Sequence, residues 1–232
     1  KSMYPTIINK GDNLVAAIKE KMEKNPSIEL KDITNRFTVD VISSVVFGME
    51  ANTLKKENER LLSIFKEVFG VEGIAMLKFF FLVAFPELSK TLKLRMFSKN
   101  ISDFFIDVVG SNIKYREESN DNRSDFLNML IQLKNKGSID GEFSTEKKKL
   151  TLNEIMAQAF LFFLAGADST STTISFALVE LSRNLDIQEK LREEIEAKTK
   201  WTNGKINYEA IMEMTYLNQV VNGKDISYIQ CY

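Results

Sequence analysis

The chain has 232 residues, with 31 lysines and arginines against 32 aspartates and glutamates, so its net charge is −1 and offers no electrostatic case for nucleic acid. It contains no histidine, which removes Ser-His-Asp and Cys-His catalysis, His-ligated zinc and an imidazole pH switch together. Its one cysteine, Cys231, sits second from the end, so neither a disulfide framework nor a cysteine-cluster metal site can form within one chain.

Three prolines, ten glycines and long stretches of 3.6-residue periodicity predict an all-α protein of about seven or eight helices. The first covers residues 4–24 and stops at Asn25-Pro26. The second covers 30–47 and stops at Gly48, with Leu30, Ile33, Phe37, Val41 and Val45 as one apolar stripe. A third spans 58–69. The next stretch, "MLKFFFLVAFPEL" at 76–88, is too apolar for an ordinary exposed loop and is expected in the core, with a membrane-touching surface as the alternative. Helices near 98–117 and 125–134 follow, and 134–149 reads as a solvated loop. The longest apolar runs, near 79–85 and 159–167, fall short of the roughly 18 residues of a spanning helix, so no transmembrane segment or signal peptide is expected. The chain begins at Lys1, and an N-terminal anchor would lie before it.

Thr151 and Glu154 form a capping box, with Leu150 and Ile155 placed as a hydrophobic staple, so a helix should start at Leu152. It runs to about Arg183, on the order of 45 Å at 1.5 Å per residue. Asp186 and Glu189 repeat the start signal for the helix after it. Within the long helix, "FLFFLAGADSTSTTISF" turns from apolar to polar at Asp168 and the five hydroxyls of residues 169–173. Leu161, Leu164 and Ala165, Asp168 and Ser169, and Thr172 recur at helical spacing and share one face. Gly166 and Ala165 leave room for a large flat group against the backbone. Ser169 and Thr170 can bond carbonyls four residues back, which loosens the ladder where water can insert. Asp168 is then a candidate proton relay. On the residues alone a second reading stands beside it, in which the hydroxyls are tolerated by back-bonding and Asp168 faces solvent or pairs with a Lys or Arg.

"AGADST" at 165–170 resembles the A/G-G-x-D/E-T-T/S signature in the long central helix of cytochrome P-450 monooxygenases. Four other segments agree in order: "TVDVISSVVFG" at 38–48 resembles that family's T-x-D-V-I…F-G helix, "RSDFLNMLI" at 123–131 its R-x-D-F-L helix, and "QEKLREEI" at 188–195 and "MTYLNQVVN" at 214–222 follow. The similarity covers about residues 1–222 and has the flavour of insect microsomal members.

The resemblance implies the central and G-to-J region helices of the cytochrome P-450 fold, truncated at both ends, with residues 223–232 a non-family tail. It implies haem as cofactor, with Ala165, Gly166 and Ser169 against it and the iron-ligand cysteine thiolate pushing electron density towards bound oxygen. Asp168 corresponds to the family's acid and Ser169 to its oxygen-activating threonine, while Leu161, Leu164 and Ala165 face a small apolar substrate. Serine lacks the methyl that restricts χ1, so its hydroxyl is held less firmly. Leu185 stands where a proline is common. The partners implied are NADPH–cytochrome P-450 reductase and the endoplasmic reticulum membrane, on its cytoplasmic face, through an N-terminal anchor. After Asn222 the family continues E-T-x-R, whereas this sequence reads Gly223-Lys-Asp-Ile226, and the F-x-x-G-x-R-x-C-x-G ligand loop is not among the 232 residues. The expectation is therefore an inactive piece of an oxidoreductase, with a helical hydrophobic-ligand-binding or decoy protein as the reading from another class.

Overall fold

The computed structural model describes residues 3–25, 27–55, 58–70, 74–119, 121, 123, 125–138, 149–200 and 206–223. Pro26, Cys231 and most of the expected 134–149 loop and 223–232 tail lie outside them. All regular structure among the described residues is helical. The α-helices are α1 (Tyr4–Lys24), α2 (Leu30–Ile42), α3 (Glu59–Phe69), α4 (Ile74–Ala84), α5 (Pro86–Thr91), α6 (Lys99–Ser119), α7 (Phe126–Lys136), α8 (Leu152–Arg183), α9 (Leu185–Lys200), α10 (Tyr208–Met212) and α11 (Thr215–Val221). That is more than the seven or eight expected, because short helices such as α5 and α10 have too few turns to show a periodicity.

The expected second helix is two pieces. α2 ends at Ile42 and continues as a π-helical turn over Ser43–Phe47, closed by Gly48 at φ 66°. Its anticipated stripe is also corrected: of Leu30, Ile33, Phe37, Val41 and Val45, only Ile33 is fully buried, while Thr34, Thr38 and Asp40 are buried too. The reason is that α2 is enclosed on several sides and its polar side chains find partners inside. Asp40 Oδ1 accepts from Thr53 N at 2.7 Å and Thr53 Oγ1 at 2.8 Å, and its Oδ2 from Leu54 N at 3.2 Å. Buried acceptors filled in this way avoid the cost of an unpaired carboxylate.

The core gathers around α8. Phe163 is fully buried, with ring centroids 5.1 Å from Phe105, 5.7 Å from Phe47 and 6.3 Å from both Phe65 and Phe69. Ile155, Ala159, Phe163, Ala167 and Ser171 form the buried stripe of α8, which faces α2, α6 and α7. By length and composition α8 is also the one described helix that could cross a membrane. A second, smaller cluster joins Leu191 of α9 to Val220 of α11, with Leu181 of α8 beside it.

The capping box forms as expected: Glu154 N donates to Thr151 Oγ1 at 3.3 Å and Thr151 N to Glu154 Oε2 at 2.8 Å. Leu150 and Ile155 both join the core. The start of α9 differs from expectation. Asp186 is inside its first turn, because Asn184, which ends α8, accepts from Gln188 N at 3.0 Å and leaves no room for a separate cap.

The 76–88 stretch is not core. It forms α4 and the start of α5, with Met76, Leu77, Phe79, Phe80, Val83, Phe85 and Leu88 exposed.

Candidate functional site

α8 carries every candidate catalytic, haem and substrate residue, and it is α-helical without interruption from Leu152 to Arg183. Leu161, Ala165 and Ser169 lie on its exposed side, Leu161 at 53% exposure. Leu164 is half-buried and packs against the core. Ser169 Oγ donates to Ala165 O at 2.5 Å, and Thr173 Oγ1 to Ser169 O at 3.0 Å, so these hydroxyls are satisfied by the turn before them.

Gly166 turns towards α2. A Cβ built there would stand 2.8 Å from Ile42 Cδ1, the far end of that side chain, so glycine spares Ile42 a shift. Thr34–Ser175 and Asn35–Ser171 contacts and the approach of Ile42 to Gly166 succeed one another in opposite directions along the two helices, which makes α2 and α8 antiparallel neighbours.

Asp168 and Thr172 are half-buried on the flank facing α2. Lys31 Nζ, in the first turn of α2, donates to Asp168 Oδ1 at 2.9 Å, Ser171 Oγ at 2.9 Å and Thr172 Oγ1 at 2.5 Å. Ser171 Oγ donates to Asn35 Oδ1 at 2.5 Å. The structure thus pairs Ala165 with Ser169 on the open side, and Asp168 with Thr172 through Lys31 on the flank. These contacts agree with the second reading of the sequence, in which back-bonding satisfies the hydroxyls and Asp168 pairs with a Lys or Arg; that reading left the lysine unnamed, and Thr34 and Asn35 are residues that sequence reasoning missed. The one sequence signal for these contacts is a lysine at a helix N-terminus, where the helix dipole disfavours a cation.

A cleft of about 350 Å³ opens along α8 between Ser169, Thr170, Thr173, Ile174, Ala177 and Val221 of α11. A larger one, about 480 Å³, lies away from α8 beside α1 and the π-helical turn. Lys10 bonds Glu50 there and holds its carboxyl below the ordinary range, with burial opposing.

The groups that could touch a bound flat cofactor are the small side chains on the open side of α8. Ala165 and Ser169 fit such a group by size and exposure, and Gly166 faces Ile42 of α2 behind them. Among the described residues there is no cluster of three His, Cys, Asp or Glu that could hold a metal ion.

The motif acids elsewhere are structural. Asp125 caps α7 by accepting from Asn128 N at 3.0 Å, and its two oxygens accept from Arg116 NH1 at 2.7 Å and NH2 at 2.6 Å. Asp40 holds the turn at Thr53.

The Cytochrome P450 family model matches residues 1–222. Cytochrome P450 6A1 of Musca domestica is 37% identical over 223 residues, covering 96% of this chain and 43% of that protein. Cytochrome P450 6a2 of Drosophila melanogaster is 36% identical over 225 residues (96% and 44%), and the probable cytochrome P450 6a13 of the same fly is 38% identical over 221 (95% and 43%). The chain spans less than half the length of these relatives. With an all-helical fold around a long helix bearing Ala165-Gly166-x-Asp168-Ser169, and a match over nearly its whole length, the chain belongs to the cytochrome P450 family.

Proposed function

We propose that this chain is the part of a haem-thiolate monooxygenase that supplies the proton-delivery helix, in a protein that inserts one oxygen atom of O₂ into a small apolar substrate. The observation that carries the reading is the adjacent acid and hydroxyl of Asp168 and Ser169 on α8, in a chain whose family match runs through that helix. Haem, when bound, supplies the oxygen-activating iron. Ala165 and Ser169 would hold its face, and Leu161 with Ala165 would offer the substrate an apolar surface, with Leu164 packed against the core behind them. Asp168 takes a proton from solvent and passes it on, and the Ser169 hydroxyl holds it at the open face. Electrons come from NADPH–cytochrome P450 reductase, and the whole protein works on the cytoplasmic face of the endoplasmic reticulum membrane.

The test joins residues 1–222 to the remaining parts of a relative such as the house-fly protein. Asp168→Asn should slow substrate oxidation by on the order of 10²-fold while haem content and substrate binding stay near normal. Ser169→Ala should divert reducing equivalents into peroxide, and Ser169→Thr should tighten coupling by fixing the hydroxyl rotamer. If Asp168→Asn and Ser169→Ala both match the unmutated protein in rate and in product per NADPH, the relay is wrong.

A further inference from the structure

Lys31 has no local reason to stand where it does. It lies in the first turn of α2, where the helix dipole favours anions. Its ammonium has three N–H donors, and all three reach α8, at Asp168 Oδ1, Ser171 Oγ and Thr172 Oγ1. The Lys31 and Asp168 side chains remain 40% and 39% exposed, and an ion pair so open to water contributes little to stability. What the contact does supply is geometry. Among the described residues Asp168 Oδ1 takes Lys31 and Oδ2 takes no bond, so the carboxylate is held by one oxygen with the other free. The rotation of α8 about its axis is fixed over the same stretch by Ser171 on Asn35 and by Thr34 Oγ1 at 2.7 Å from Ser175 Oγ.

We propose that Lys31 is a positioning residue for Asp168: it anchors Oδ1 and leaves Oδ2 as the atom that takes up a proton and releases it beside Ser169. The proton comes from solvent and is handed on, so the carboxylate is regenerated with no other co-reactant. This rests on the monooxygenase reading above.

The experiment uses the same completed protein and two readouts, product per NADPH and hydrogen exchange of the backbone amides of residues 168–175. Lys31→Met should lower product per NADPH about twofold or more, and should add nothing in an Asp168→Asn background. Lys31→Arg should retain most of the coupling. Thr34→Val removes a neighbouring contact between the same helices, and it should speed exchange as Lys31→Met does yet leave coupling unchanged. Lys31→Gln, which keeps a donor without the charge, replaces Lys31→Met if that variant takes up no haem. The proposal is overturned if Thr34→Val uncouples as much as Lys31→Met, if Lys31→Met is silent while Asp168→Asn is not, or if the two substitutions add in full. A silent Asp168→Asn overturns the proton-relay reading itself, and this inference with it.

Discussion

Gly48 shows how much one position can be asked to satisfy. It closes the π-helical turn at φ 66°, a conformation that costs a side chain with a Cβ, and a Cβ there would stand 1.9 Å from Arg116 NH2. Arg116 is 4% exposed and forks onto Asp125, so it cannot retreat without breaking a buried pair. Gly48→Ala should therefore destabilise the fold by about 2–5 kcal/mol, adding left-handed strain to partial loss of that pair. Urea unfolding of the two proteins side by side checks this, and an unchanged midpoint would mean that Arg116 has another place to go. In the sequence, Gly48 is legible as a stop, because a glycine after an apolar run is a local signal. Arg116 is not, since it meets Gly48 from 68 positions away and nothing near either residue announces the other. Asp168 follows the same rule: its helix and its hydroxyl neighbours could be read locally, and the lysine that holds it could not.

Elements were legible in proportion to how locally their ends are specified. The α8 start was readable because Thr151 and Glu154 satisfy each other within one turn. The break in α2 at Ile42 was not, since Val45, Val46 and Phe47 resume the apolar pattern after Ser43 and Ser44, so the stretch reads as one helix. The junction of α8 and α9 tests the same idea. Leu185 is the first residue of α9, it is 68% exposed, and the residue before it has φ −118° and ψ 78°, outside the α region that a following proline disfavours. Proline fits the first helical position, where the N–H has no partner within the helix. Leu185→Pro should accordingly stabilise the protein by about 0.4–1 kcal/mol through the unfolded chain, read as a rise in melting temperature. A fall would mean that Asn184 must move to accept it.

Among the described residues, α4 and the turn into α5 carry a run of exposed apolar side chains. Composition made 76–88 look like core, because a sequence shows how apolar a segment is and not what lies across from it. In the structure Met76, Leu77, Phe79, Phe80, Val83 and Phe85 face outward on α4 and at the turn into α5. Residues 74–99 also carry Lys78, Lys90, Lys93, Arg95 and Lys99 against Glu87 alone, in a chain whose net charge is −1. Glu87 pairs with Lys90 at 2.9 Å and Asp103 with Lys99 at 4.0 Å, which leaves Lys78, Lys93 and Arg95 without an acidic partner among the described residues. Exposed aromatic and aliphatic groups interleaved with cations suit a bilayer interface with anionic headgroups, where each basic residue near the surface contributes about 1 kcal/mol. The chain should then sediment with vesicles containing phosphatidylserine more than with phosphatidylcholine alone, and the difference should shrink as salt shortens the screening length. Replacing Leu77 and Phe80 together by aspartate should abolish that binding. Because both side chains are already exposed, at 69% and 56%, the helical circular dichroism and the unfolding midpoint should not change. If the double variant sediments as well as the original chain, the apolar face of α4 is not what meets the membrane, and the basic residues beyond it are left as a surface without that partner.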